Sequence, residues 1–143
     1  MINSIYWFAI AVIGALTVKK FGSATILGFV YALLATPTPL FGPPGIYKIV
    51  LGISLGLVVD IIALIFRYRN IAYYIAPVIG NILSVFELIL AYKLLGLPGA
   101  EQIIAILPYM LLILSVEALI GGWLGIKIYN KIKDKRIIRQ IQS

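Results

Sequence analysis

The sequence predicts an all-α fold: a polytopic integral membrane helix bundle of about five transmembrane helices. Three observations predict it. Hydrophobic residues make up 62% of the chain and charged residues 12%, against about 25% charged in an ordinary soluble domain. Mean hydropathy is +1.08, so too few polar side chains exist to cover a water-facing surface. The apolar residues also come in long runs bounded by basic pairs or by proline and glycine, which is the pattern of spans and loops.

Segment one covers about residues 2–18 without a charge and stops at Lys19-Lys20; segment two covers about 22–36. Both are short for a hydrocarbon core of about 30 Å, which takes roughly 20 helical residues to cross. Residues 37–45, PTPLFGPPG, hold too much proline and glycine for a helix interior and form a loop. Segment three covers about 46–66 and ends at Arg67-Tyr68-Arg69; segment four covers about 71–95, with Pro77 near its start. Gly96-Leu97-Pro98-Gly99 is a turn. Segment five covers about 103–129, and Pro108 either kinks it or marks its true start. The membrane bundle is thus expected over 1–129 and a basic cytoplasmic tail over 130–143, where isoleucines 132, 137, 138 and 141 suit either a membrane-surface helix or a continuation of segment five. No repeat and no soluble domain stands out.

The net charge of +7 is a matter of topology. With five spans and the C-terminus inside, ten basic residues fall on the inner side and only Lys48 and Lys93 on the outer side. That bias sets an N-out, C-in orientation and removes the nucleic-acid reading that a basic soluble chain would invite. Tyr6, Trp7, Tyr47, Tyr92 and Tyr109 then fall near the outer interface, and Tyr68, Tyr73, Tyr74 and Tyr129 near the inner one, as an aromatic belt would. The N-terminus has no basic region and no small-residue cleavage site, so no removable signal peptide is expected.

With no cysteine and no histidine, the sequence offers no thiolate or imidazole metal site, no Cys nucleophile and no ordinary neutral-pH base. It shows no paired nucleophile and base and no phosphate-binding loop. No catalytic residue, cofactor or bound metal is therefore expected, and any ATP must be hydrolysed by a partner.

Function is sought instead in the acids within the spans, since an ionisable group in hydrocarbon costs at least about 2.5–3.5 kcal/mol. Asp60 continues a stripe of Gly52 and Gly56; Glu117 begins a stripe with Gly121 and Gly125. Small residues four apart allow close backbone approach, so the two stripes suggest a tight helix pair, with Arg67 or Arg69 in reach of Asp60. Asn81, Ser84 and Glu87 follow one another at three-residue steps and point roughly the same way. They make a polar wall in the outer half, either for interhelical hydrogen bonding or for a small ligand. Tyr31, Tyr47, Tyr109 and Glu117 are the candidates to face it.

The order of features resembles a known family. Val18-Lys19-Lys20-Phe21-Gly22-Ser23-Ala24 reads as a basic turn opening a helix; the Gly/Pro loop follows, then Gly52, Gly56 and Asp60, then Phe66-Arg67-Tyr68-Arg69. Leu107-Pro108-Tyr109, Glu117, Gly121-Gly122 and Tyr129-Asn130-Lys131 complete the pattern. Over about residues 15–135 this resembles the S-components, the substrate-binding membrane subunits of energy-coupling factor (ECF) transporters, and most closely the thiamine/hydroxymethylpyrimidine branch, where an acid commonly sits near the Asp60 position. S-components usually have about six helices with both termini inside. Against that pattern this chain looks like one lacking its first helix, so the first-helix small-residue motif cannot be carried over to Ala11 and Ala15.

The resemblance implies capture of a small vitamin-like molecule, resembling a thiamine precursor, between the helices. A cationic or pyrimidine ligand would suit tyrosines and acids, with Tyr31, Tyr47, Asn81, Ser84, Glu87, Tyr109 and Glu117 as the substrate-binding set. The implied partners are the lipid bilayer, the ligand, a coupling membrane subunit and ATPase subunits, with no nucleic acid. The residues alone leave two other readings open: an accessory subunit of a larger membrane complex, and an ion- or proton-conducting oligomer using Asp60, Glu87 and Glu117.

Overall fold

Backbone N–H and C=O groups in hydrocarbon have no water to bond, so apolar runs of this composition close their hydrogen bonds internally as helices. The computed structural model describes residues 2–39, 43–133 and 140, and these form only helices and turns. The elements are α1 (Ile2–Val18), α2 (Ser23–Ala35), α3 (Tyr47–Ile65), α4 (Ala72–Leu94), α5 (Ala100–Ala105) and α6 (Leu107–Ile132). α3, α4 and α6 are long and apolar enough to cross a membrane; α2 and the Ile5–Val18 stretch of α1 are shorter apolar helices.

The first four expected segments lie within one residue of α1 to α4. Of the two courses open to the fifth, a kink at Pro108 or a start there, the structure takes the second. The chain breaks at Ile106 (φ −100°), α5 stands alone, and Pro108 falls in the first turn of α6, where its missing N–H would have had no helical partner anyway. At the other end α6 runs on to Ile132, so residues 130–132, expected in the tail, are helical. The remaining tail, with the isoleucines at 137, 138 and 141, lies outside the described residues, as do residues 40–42 of the proline-rich loop. The Gly96–Gly99 turn forms as expected, with both glycines at positive φ (62° and 115°).

Close contacts define the packing. Gly14 of α1 meets Leu27 of α2, Gly28 of α2 meets Gly52 of α3, Leu55 of α3 meets Gly80 of α4, and Tyr73 of α4 meets Gly122 of α6. The last helix returns to the first, where Gly121 and Gly125 of α6 pack on Ile5, Phe8, Ala9 and Val12. The result is a closed ring in the order α1, α2, α3, α4, α6. Neighbours run antiparallel except α1 and α6, which run parallel because four crossings separate them. At one end the ring gathers Lys19, Lys20, Arg67, Arg69, Lys127, Lys131 and Lys133; this is called the basic end below, and the opposite end, which holds α5, the α5 end.

Both glycine stripes do their expected work, but not on each other. The α3 stripe receives α2: a Cβ on Gly28 would lie 2.1 Å from the Gly52 carbonyl oxygen, and one on Gly56 would lie 2.4 Å from that of Ala24. The α6 stripe receives α1. Each stripe thus seats one of the two short helices, and α2 in particular needs close backbone contact because it presents only small residues inward: Ala24, Gly28, Ala32 and Ala35 are its buried residues. The aromatic belt is also only partial. Tyr6 and Tyr109 are exposed, but Trp7, Tyr73, Tyr92 and Tyr129 are buried in the bundle.

Candidate functional site

Two kinds of polar seam run through the bundle. The first is the clamp that α3 places on α2. A helix ends with four unpaired N–H groups and four unpaired carbonyls, and α2 has Gly22 (φ 94°) before it and no side-chain cap of its own. Asp60, 1% exposed, supplies the cap from α3. Its Oδ1 accepts from the Ala24 N–H (3.1 Å), and its Oδ2 accepts from the Thr25 N–H (2.8 Å) and hydroxyl (2.6 Å). The partner is therefore the α2 N-terminus and not Arg67 or Arg69, both of which are exposed beyond the end of α3. At the other end of α2 the Lys48 ammonium, 2% exposed, donates to the carbonyls of Ala35 (3.2 Å) and Thr38 (2.5 Å). Anion at the N-terminus and cation at the C-terminus both complement the helix dipole. Lys48 is thus a structural cation inside the protein and leaves the count of loop charges.

The second seam joins α3, α4 and α6 and holds the predicted polar wall. Asn81 is buried and its amide donates to the Leu114 carbonyl of α6 (2.8 Å). Ser84 donates back to the Asn81 carbonyl (2.8 Å). Glu87 Oε1 accepts from Ser54 of α3 (2.5 Å), while its Oε2 is buried with no hydrogen-bond partner among the described residues. The three side chains do not form one face: each three-residue step turns back about 60° on a helix of 3.6 residues per turn, so Asn81 addresses α6 and Glu87 addresses α3. Glu117 is 7% exposed, and its Oε2 is likewise buried without a partner among the described residues. In the register set by Asn81–Leu114 and Tyr73–Gly122, Glu87 and Glu117 stand roughly 13 Å apart along the bundle axis. The structure does not bring them side by side.

The tyrosines divide. Tyr31 stacks on Trp7 with ring centroids 4.5 Å apart and an interplanar angle of 26°. That pair packs with Phe8, Ala11, Leu27, Leu55, Val78 and Ala118, so all five ring helices contribute to the cluster around it. Tyr47 donates its hydroxyl to the Pro43 carbonyl (2.7 Å) at the loop. Tyr109 is 75% exposed on the outside of α6. The interior thus brings Tyr31 and Ala118, the neighbour of Glu117, to one cluster, with the Asn81 and Glu87 contacts on its α3–α4–α6 side, and leaves Tyr109 apart.

Sequence reasoning missed Trp7, Ser54 and Lys48. Trp7 had a readable signal: it stands four residues before Ala11 and eight before Ala15, on the face those alanines bury. Ser54 had none, because a serine in an apolar run is most often bonded to its own helix.

No curated protein and no solved structure matches the chain. A family model does, that of the ABC-type cobalt transport system, permease component, over residues 2–86. The match covers more than half of the chain and takes in α1, α2, α3 and the part of α4 that carries Asn81 and Ser84. With a helical membrane bundle on one side and that match on the other, the chain belongs to the family of ABC-type cobalt transport permease components, membrane parts of ABC-type transport systems.

Proposed function

We propose that this chain is the substrate-binding membrane component of an ABC-type uptake system, of the S-component kind, and that partner ATPases and a coupling membrane subunit energise it. Its ligand is a small vitamin-like molecule, cationic or pyrimidine-like, taken up at the α5 end, which the basic-residue bias makes the outer end. The observation that carries the reading is a pair of carboxylate oxygens, Glu87 Oε2 and Glu117 Oε2, each buried with no hydrogen-bond partner among the described residues. A buried polar atom without a partner is costly, and a ligand N–H or cation would satisfy it. Trp7 and Tyr31 supply aromatic faces, which favour a planar cation. Asn81, Ser84, Tyr47 and Tyr109 complete the proposed set, the last two reaching the ligand during entry, since they stand at the loop and on the α6 exterior.

The family's description names cobalt. This chain has neither histidine nor cysteine, so Co²⁺ would find neither imidazole nor thiolate, the protein ligands that favour later transition metals. An organic ligand fits better.

The test is ligand capture by purified protein in lipid nanodiscs. Hydroxymethylpyrimidine, thiamine and Co²⁺ are titrated separately and thermal stability is read. A saturable stabilisation by one of the organic compounds, reduced about tenfold or more in affinity by Glu117→Gln, is the expected result. Stabilisation by Co²⁺ alone, or by none of the three with no small molecule found by mass spectrometry of the purified protein, overturns the reading.

A further inference from the structure

At the basic end a pocket of about 370 Å³ opens between α4 and α6, lined by Tyr74, Trp123, Ile126, Lys127 and Asn130. It lies at the far end of the bundle from the Glu87 seam. Its volume falls in the range of about 300–1,000 Å³ typical of small-ligand clefts. Ile126 is 7% exposed and closes the floor. Trp123, 47% exposed, forms one wall, and the Lys127 ammonium lies over its ring at 4.5 Å from the centroid. No carboxylate pairs with Lys127 among the described residues, where the acids are Asp60, Glu87, Glu101 and Glu117. The first of these is buried in the α2 cap, Glu87 and Glu101 stand toward the α5 end, and Glu117 is buried ten residues, about 15 Å of helix, from Lys127.

Three features of the pocket belong together. Its rim is cationic and lies among Lys19, Lys20, Arg67, Arg69, Lys131 and Lys133. Its aromatic wall is a tryptophan one helical turn before Lys127, and tryptophan is enriched where an apolar span gives way to its basic flank. Above Trp123 the exposed surface of α6 continues through Ile120, Leu119 and Val116 without a polar residue. A soluble anion needs only the first feature. A molecule with an anionic head and a long apolar body uses all three.

We propose that this pocket binds one anionic phospholipid of the inner leaflet. Lys127 and the Asn130 amide take the phosphate, Trp123 and Tyr74 flank the glycerol region, and one acyl chain lies along the Trp123–Val116 face of α6. The bound lipid sets the depth of α6 and screens the repulsion among the clustered basic residues.

The experiment is native mass spectrometry and thermal unfolding of the full chain, exchanged into a neutral detergent and supplied with phosphatidylglycerol, phosphatidylcholine or inorganic phosphate. Phosphatidylglycerol is expected to be retained at one molecule per chain and to raise the unfolding temperature; phosphatidylcholine is not retained. Lys127→Gln weakens phosphatidylglycerol binding roughly fivefold, the effect of about one basic charge at a lipid surface, and Trp123→Ala weakens it further. Lys93→Gln, at the opposite end, leaves it unchanged. Both pocket side chains are exposed, so the variants keep the monodisperse elution of the parent. Equal retention of phosphatidylcholine, equal stabilisation by inorganic phosphate, or a Lys127→Gln variant that binds phosphatidylglycerol like the parent each overturns the proposal.

Discussion

Asp60 and Glu117 are both acids buried in an apolar bundle, and the difference between them separates a side chain that holds the fold from one with an acceptor to spare. Asp60 spends both oxygens on three donors at the α2 N-terminus. Glu117 keeps one buried oxygen with no partner among the described residues. A carboxylate whose acceptors are filled holds the fold together and has nothing left for a ligand. One with a spare acceptor lowers stability a little and is available for recognition. Burial alone does not tell the two apart; the donor count does.

Three substitutions bear on that contrast. Asp60→Ala removes the cap and strands the Ala24 and Thr25 N–H groups in the low-dielectric interior. The expected loss is about 3–5 kcal/mol, read as a fall in unfolding temperature and a broadened elution profile in detergent. A stability change below about 1 kcal/mol would break the contrast. Lys48→Met keeps the length and apolar stem of the side chain but removes the cation from the α2 C-terminus. The expected loss is about 1.5–3 kcal/mol by the same measurement. Glu117→Gln stands at the other extreme: unfolding shifts by less than about 1 kcal/mol in either direction, while ligand affinity falls. If Glu117→Gln unfolded the bundle as Asp60→Ala does, Glu117 would be structural as well.

Much of the architecture was legible because the bilayer imposes it. Apolar runs ended at Lys19-Lys20, at the proline-rich loop, at Arg67 and at Gly96, and the helices end there too. The start of segment five was legible only as one of two alternatives, because hydropathy does not register a break between two apolar helices; Pro108 marked it, and a proline serves equally as a kink. The stripes Gly52–Gly56 and Gly121–Gly125 were visible as close-packing faces, but a stripe does not say which helix it receives, and they received α2 and α1 instead of each other. Asn81 and Glu87 do bond between helices, one of the two readings the sequence left open, but not from one face: the three-residue steps between them accumulate a rotation that points the two side chains at different neighbours. Lys48 looked like a loop charge because it follows a loop. Its spacing from Asp60, twelve residues or about 18 Å of helix, matches the length of α2, and that match was the unread signal.

The clamp on α2 also bears on how the chain enters the membrane. Thirteen residues make a rod of about 20 Å, too short to cross alone, with bare peptide groups at both tips. Beside the local bonds of Thr36 and Thr38, the two charged groups that bond those tips, Asp60 and Lys48, are carried by the helix synthesised next. The expected course is that α2 is not released into lipid by itself but partitions with α3 as a hairpin, once Lys48 and Asp60 have emerged. Biogenesis of this protein would then proceed by pairs, with the order of synthesis deciding when each buried charge first meets its counterpart.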